Sequence, residues 1–315
     1  MRIFKLSILI LTAFSFQIIE AQESNLKNIK KLTFGGDNAE AYFSPNGKML
    51  TLQVTNPDKG IPCDQIYSLD ITQQNIDFNS LKLTSTGKGR TTCSYFMPDG
   101  KHIIYASTHQ ANEACPAPPK PKDGKYLWAI YPEFDIYIAD LNGNIVKQLT
   151  NTPGYDAEAV VSPDGKKIAF TSTRSGDLEL WTMNIDGTNV KQVTTGLGYD
   201  GGSFFSHDSK KLVFRASRPK TEAEIEEYKS LLNENVVAPT EMELYTCNVD
   251  GTNLKQITHL GKANWAPFFH PSDQKIIFSS NHHATRGYDF QLYMIDIDGT
   301  HLTQITFDSE FNAFP

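Results

Sequence analysis

Ionisable side chains recur at two fixed points along this sequence, and chemistry would sit there. His109, Arg174 and Arg218, and the group His282, His283 and Arg286, each follow a short alternating apolar run. Arg90, Asp156, Glu158, Asp200 and Trp265, together with Glu40 and Glu310, each precede one. Arg and His can engage acidic or hydrogen-bonding groups of a ligand, an acidic rim can set selectivity, and a tryptophan offers a flat apolar contact. The same residues could instead form ion pairs that fix neighbouring elements. His282 and His283 are adjacent, so in a strand they point to opposite faces and do not readily share one metal ion. Asp186-Gly187-Thr188, Asp250-Gly251-Thr252 and Asp298-Gly299 lack the further ligands of a calcium loop and read as hairpin turns. There is no Gly-x-Ser-x-Gly elbow, His-Glu-x-x-His helix, phosphate-binding loop or paired-cysteine zinc spacing. No catalytic residue, metal ligand or cofactor is assigned.

These residues sit in a chain of 315 with a formal charge of −7. That charge argues against nucleic acid or an anionic membrane surface as partner. Arg2 and Lys5, an apolar run from Leu6 to Ile19, and Glu20-Ala21-Gln22 follow the three-part plan of a secretory signal peptide over residues 1–21. Ile19 is imperfect at the cleavage site, so an uncleaved anchor is the alternative. No second span is predicted, which leaves the mature chain without a transmembrane segment and places it in the periplasm or outside the cell. Export makes the cysteines relevant. One bridge is predicted among Cys63, Cys93 and Cys115, with the pairing open, while Cys247 lies in a strand-like run.

Two phrases alternate along the chain. The first is a strand end, a Pro-Asp-Gly turn and a second strand, as in Val161-Ser162-Pro163-Asp164-Gly165-Lys166-Lys167-Ile168-Ala169-Phe170. It returns at Ser44, Met97, Ser206 and His270. The second is a strand, an Asp-Gly or Asn-Gly turn, and a strand ending in threonine, as in Leu180 to Thr194. These endings fall at Thr33, Thr84, Thr150, Thr194, Thr258 and Thr306, about 44 to 66 residues apart. Four antiparallel strands (a, b, c and d) per repeat predict an all-β propeller over residues 22–315. Six d-strand ends face only five a–b hairpins, so the pattern predicts five full blades of a six-bladed ring. Ile29 to Thr33 would be a lone d strand, and Glu310 to Pro315 the start of an unfinished blade. The chain is thus expected to be truncated at its C-terminus or to close irregularly.

The spread in repeat length comes from the b–c connections. Residues 109–131 are proline-rich and contain Cys115, which predicts a semi-rigid loop stapled by a disulfide. Residues 219–240 contain Thr221 and Glu224 in capping-box spacing, and Ile225, Tyr228, Leu231 and Leu232 on one stripe. They predict a short helix docked on its own blade.

The repeated Ser-Pro-Asp-Gly-Lys-x-Ile-Ala-Phe and Asp-Gly-Thr-Asn-x-x-Gln-Ile-Thr phrases resemble those of the TolB-like β-propellers of exported bacterial proteins, from about Ile29 to Pro315. The resemblance implies a six-bladed propeller with, for TolB itself, a protein-binding role in the envelope. The small N-terminal α/β domain of TolB has no counterpart in the pattern. On this reading the protein is an exported binding or scaffold propeller that takes an envelope protein or glycan on its loop-lined face. The alternatives are a lyase acting on acidic oligosaccharides through His282, His283 and Arg286, and the N-terminal propeller of a longer serine peptidase.

Overall fold

Serine and proline close the inner hairpins for a local reason. In the hairpin at Ser162, the Ser162 hydroxyl accepts the main-chain N–H of Lys167 (2.9 Å) and donates to Asp164 (2.7 Å). Gly165 supplies the left-handed backbone that the turn requires (φ 71°). Ser44 and Ser206 close their hairpins in the same way. The threonine at the end of a d strand is equally local. The hydroxyls of Thr150, Thr194, Thr258 and Thr306 accept the N–H of Ile136, Leu180, Leu244 and Leu292, at 2.8–2.9 Å. Each repeat therefore carries its own closing bonds.

A computed structural model of the chain describes residues 25–122, 124–307 and 311–315. The predicted signal peptide lies outside the described residues. The five a–b and c–d hairpin pairs build five four-stranded antiparallel blades. Blade 1 contains β1 (Asp37–Phe43), β2 (Met49–Asn56), β3 (Ile61–Asp70) and β4 (Leu81–Leu83). Blade 2 contains β5 (Thr91–Phe96) and β6 (His102–Ser107), then β8 (Asp135–Asp140) and β9 (Ile145–Gln148), with β7 (Trp128–Ala129) in its b–c connection. Blade 3 is β10 (Asp156–Val161), β11 (Lys167–Ser172), β12 (Glu179–Asn184) and β13 (Lys191–Gln192). Blade 4 has β14 (Asp200–Phe205) and β15 (Lys211–Ser217), followed by α1 (Glu222–Asn233) and β16 (Val236–Val237), then β17 (Met242–Asn248) and β18 (Lys255–Gln256). Blade 5 is β19 (Asn264–Phe269), β20 (Lys275–Ser280), β21 (Gln291–Asp296) and β22 (Thr303–Gln304).

The inner strands pack in chain order, β1 on β5, β5 on β10, β10 on β14 and β14 on β19. This is the propeller arrangement. Buried apolar side chains from adjacent blades fuse into shared cores, such as Phe170 and Met183 of blade 3 with Ile104 and Ile136 of blade 2. The c–d turns also pack between blades. A Cβ on Gly251 would lie 2.2 Å from the Val193 carbonyl of the preceding blade, so only glycine fits there.

Two expectations are corrected, one of them in part. Residues 29–33 form no strand, because no c strand lies beside them to pair with. Asn25 instead donates to the Gln304 and Ile305 carbonyls of blade 5 (3.4 Å each), and Leu32 packs on the core of blade 1. Among residues 311–315, Phe311 makes a single parallel bridge with Phe290. The helix forms with its capping box and packs on β16 of its own connection, but not on that alone: Leu231 is buried against both Val236 and Leu127 of the blade 2 insertion. Its Tyr228 hydroxyl donates to Asp177 of blade 3.

The capping box yields a modest prediction. Thr221→Ala leaves the Glu224 N–H without its acceptor and is expected to cost about 1 kcal/mol of helix stability. Hydrogen exchange over residues 222–233 reports it, with faster exchange there and none in β14 or β15. Unchanged exchange in the helix would show the cap to be redundant.

Candidate ligand-binding funnel

Each inner strand is interrupted by a bulge at the same place. The register slips between Ala39 and Tyr42, Thr92 and Tyr95, Ala157 and Val160, Gly201 and Phe204, and Trp265 and Phe268. The first residue inside each slip has left-handed backbone: Glu40 (51°), Cys93 (51°), Glu158 (57°), Gly202 (57°) and Ala266 (46°). Such bulges re-aim side chains, and for the residues with a Cβ the conformation costs of order 1 kcal/mol each. All five line one funnel of about 610 Å³. Two residues on, Tyr42, Tyr95, Phe204 and Phe268 crowd together, with ring centroids 5.5 Å apart for Tyr42–Tyr95, 5.3 Å for Tyr42–Phe204 and 5.0 Å for Phe204–Phe268. Of these, Tyr42 and Phe204 line the funnel and form its floor. A second, smaller hollow on the other side is lined by Pro45, Pro98 and Pro163 of the inner hairpin turns.

The acids of the funnel differ in their partners. Glu158 is buried and ion-paired with Arg215. It also accepts from Thr171 (2.6 Å), Tyr199 (2.8 Å) and the Gly202 N–H (2.9 Å). Burial pushes its carboxyl up, but Arg215 and these hydrogen bonds outweigh burial and hold it below the usual range. Arg215 lies 4.9 Å from the Trp128 ring and 5.2 Å from the Tyr199 ring. Asp64 pairs with Arg90, whose guanidinium stands 5.9 Å from the Tyr131 ring. Glu40 has no ion-pair partner among the described residues. Burial pushes its carboxyl up to about 7; the Cys93 thiol and Arg215 oppose this, and the charges of Glu158 and Asp64 add to it.

The insertions complete the wall. β7 pairs antiparallel with β16, which joins the connection of blade 2 to that of blade 4. Trp128 of β7 packs 5.1 Å from Trp265, whose indole N–H donates to the Pro239 carbonyl (2.9 Å) and whose ring stacks on Phe290 at 4.2 Å. Cys63 of β3 is bonded to Cys115, which ties the proline-rich segment to blade 1. The predicted single bridge is therefore Cys63–Cys115. Cys93 is excluded because its bulge turns it toward Glu40, and Cys247 is a buried free thiol.

The family model described as the TolB beta propeller domain matches residues 129–238, which run through blades 2 to 4 of this arrangement. The chain is a β-propeller, and over those residues it is similar to the TolB domain. Solved TolB structures share the fold. The protein of Agrobacterium tumefaciens assigned to TolB superposes with a TM-score of 0.60 at 21% identity, over 86% of this chain and 81% of that one. TolB from Acinetobacter baumannii gives 0.57 at 18%, over 84% of this chain and 53% of that one, so this chain spans about half of its length. Hydrazine synthase of Kuenenia stuttgartiensis gives 0.60 at 15% identity, over 87% of this chain and 39% of that one. At these identities the likeness concerns the fold alone.

Four of the sequence-predicted rim residues, Glu40, Arg90, Glu158 and Trp265, line the funnel. Four others occupy one equivalent position, just after a b strand, and each covers an aromatic of its own blade. His109 lies 4.5 Å from Tyr137, Arg174 5.2 Å from Trp181, Arg218 5.0 Å from Tyr245 and His282 4.6 Å from Tyr293. Arg174 also binds both oxygens of Asp156 (2.8 and 2.7 Å), and Arg218 pairs with Asp200. His109 and His282 bond instead to Ser107 (2.8 Å) and Ser280 (2.9 Å). Their imidazoles are held below their ordinary pKa, chiefly by burial. His283 contacts the Tyr293 hydroxyl (2.9 Å), and Arg286 contacts Tyr288. None of these six basic side chains lines the funnel. Among the described residues no group of three or more His, Cys, Asp or Glu side chains is placed to hold a metal ion.

Arg215, Tyr199, Trp128 and Cys93 are funnel residues that the spacing of the repeats does not single out. For Arg215 a signal exists: a charged residue stands in the buried run Leu212-Val213-Phe214, opposite the Gly201-Gly202 pair.

Glu40 gives a pH-dependent prediction. A carboxyl whose folded value is raised from 4.5 to about 7 favours the folded state below the lower value, and that contribution is lost as pH rises through the upper one. Glu40→Gln removes the loss. The variant is expected to melt a few degrees above the parent at pH 8 and level with it at pH 5. Equal melting temperatures at both values would show that Glu40 ionises freely.

Proposed function

We propose that this protein is an exported binding propeller that receives a segment of an envelope protein in the funnel. The carrying observation is the funnel itself. It is walled by aromatic rings and paired charges, closed at its floor by Tyr42 and Phe204, and bounded by a loop anchored through Cys63–Cys115. A concave, largely apolar site with a few placed polar groups is the usual design of a recognition pocket, and a wall fixed beforehand reduces the ordering cost of binding. The TolB-like fold supports a protein as the partner, and no helix among the described residues is long and apolar enough to cross a membrane. The predicted leader points to the periplasm or the exterior. Within this reading the basic residues over Tyr137, Trp181, Tyr245 and Tyr293 hold the blades, while Glu158, Arg90 and Trp265 act in recognition.

The test is site-specific photo-crosslinking in intact cells. A benzophenone amino acid at Tyr126, which is exposed and lines the funnel, is expected to capture a polypeptide partner. The same group at Phe43, exposed beside the opposite hollow, is expected not to. Equal capture from both positions, or none from Tyr126, would refute the funnel as the docking site.

A further inference from the structure

We infer that the funnel selects a ligand presenting a cationic nitrogen on a flat apolar carrier, with the Glu40 carboxylate as its counter-charge. The inference rests on the funnel being the binding site. Its basis is the comparison of the five equivalent bulge positions. Blades 1 to 3 place Glu40, Cys93 and Glu158 there, whereas blades 4 and 5 place Gly202 and Ala266. Arg215 occupies the space over Gly202, where a Cβ would lie 1.7 Å from its Nη1, and from there it pairs with Glu158. Arg90 pairs with Asp64. Among the described residues, three carboxyl groups of the funnel thus face two guanidinium groups, and the one left without a cation is Glu40.

A second observation shows that the cavity is built for polar contact. The Nε of Arg215 and the hydroxyl of Ser203 belong to residues 7% and 1% exposed, both line the funnel, and neither has a hydrogen-bond partner among the described residues. Buried orphan donors are uncommon and costly. They suit an acceptor atom, such as a carbonyl, carried by the same ligand. Around them stand Trp128, Tyr155 and Trp265, whose rings suit a flat apolar carrier and favour a cation at their faces. An arginine of a polypeptide supplies these features most closely, with a planar guanidinium cation on an apolar stem and its own amide carbonyl.

Benzamidine and its neutral isostere benzamide test this. Binding is read by calorimetry and by tryptophan fluorescence, since Trp128 and Trp265 line the funnel and the third tryptophan, Trp181, does not. Benzamidine is expected to bind at least about ten-fold more tightly than benzamide at pH 8, the factor that corresponds to about 1.4 kcal/mol. In Glu40→Gln the ratio should fall to within about two-fold, with benzamide binding unchanged. Equal affinities of the two probes for the parent protein would overturn the cation preference and leave the funnel reading standing. Undiminished benzamidine binding by Glu40→Gln would do the same. Failure of both probes to perturb the tryptophans would also overturn the inference, and crosslinking from Tyr126 then decides separately whether the funnel binds a protein.

Discussion

Arg215→Ala is expected to lower the melting temperature by about 10 °C, the largest effect of any single truncation in the funnel. The pair it breaks is enclosed: the Arg215 and Glu158 side chains are 8% and 9% exposed. Removing one partner of a buried ion pair leaves an uncompensated charge and typically costs about 3–5 kcal/mol. For a domain of this size each kcal/mol shifts the midpoint by about 2–4 °C. The sign of the pH dependence provides a sharper check. In the parent, Glu158 is held below its ordinary value, so its contribution is present above that value and fades only as the solution becomes strongly acidic. Without Arg215 the burial effect prevails and the carboxyl moves up. The variant then loses stability as pH rises from 5 to 8, the reverse of the parent's contribution. Adding Glu158→Gln to Arg215→Ala removes the stranded charge and should recover more than half of the loss. A double variant no more stable than Arg215→Ala would mean that lost packing of the guanidinium against Trp128 and Tyr199 dominates.

What could be read from the sequence divides along the range of the interactions. The hairpins were legible because Ser162, Asp164 and Gly165 bond within five residues of one another, and the threonine ends because Thr194 bonds to Leu180 on the adjacent strand. The helix was legible from Thr221 and Glu224 for the same reason, but its contact with the blade 2 insertion was not, since Leu127 comes from another blade. The rim cations were found by position, and four rim residues, Glu40, Arg90, Glu158 and Trp265, do line the funnel. Position could not show that Arg174 and Arg218 would turn to Asp156 and Asp200, because that depends on side-chain direction at the end of the b strand. Arg215 was missed because its partner lies 57 residues away, and because a charge in a strand reads by alternation as a solvent-facing residue. The bulge is what reverses that reading: one extra residue in β14 turns Gly202 inward beneath the guanidinium.

The Cys63–Cys115 bridge carries the second large effect, and it acts on the funnel from outside. The residues it joins are 52 apart, a loop for which cross-linking is worth about 4 kcal/mol on a chain-entropy view. Without the bridge, the proline-rich segment keeps the exposed Lys88–Glu113 pair and the Gly89 N–H bond to the Glu113 carbonyl beside Cys115. Tyr131 donates to the Ala117 carbonyl (2.8 Å), and Lys122 and Lys125 pair with Glu234 and Glu227 at side chains 44–52% exposed. Exposed pairs of this kind contribute little. The paired Cys63→Ser and Cys115→Ser replacement, or reduction with a thiol, is therefore expected to lower the melting temperature by about 10 °C. Trypsin should then cut after Lys122 or Lys125, sites it spares in the oxidised protein; Lys120 is followed by Pro121 and is not a trypsin site. Trp128 lies beyond those lysines on β7, so its packing against Trp265 and Arg215 should loosen and shift the tryptophan emission to the red. An oxidised and a reduced protein with the same trypsin pattern would show that β7 and β16 hold the wall by themselves. The bridge would then be a staple for blade 1, and recognition in the funnel would not depend on the redox state of the compartment.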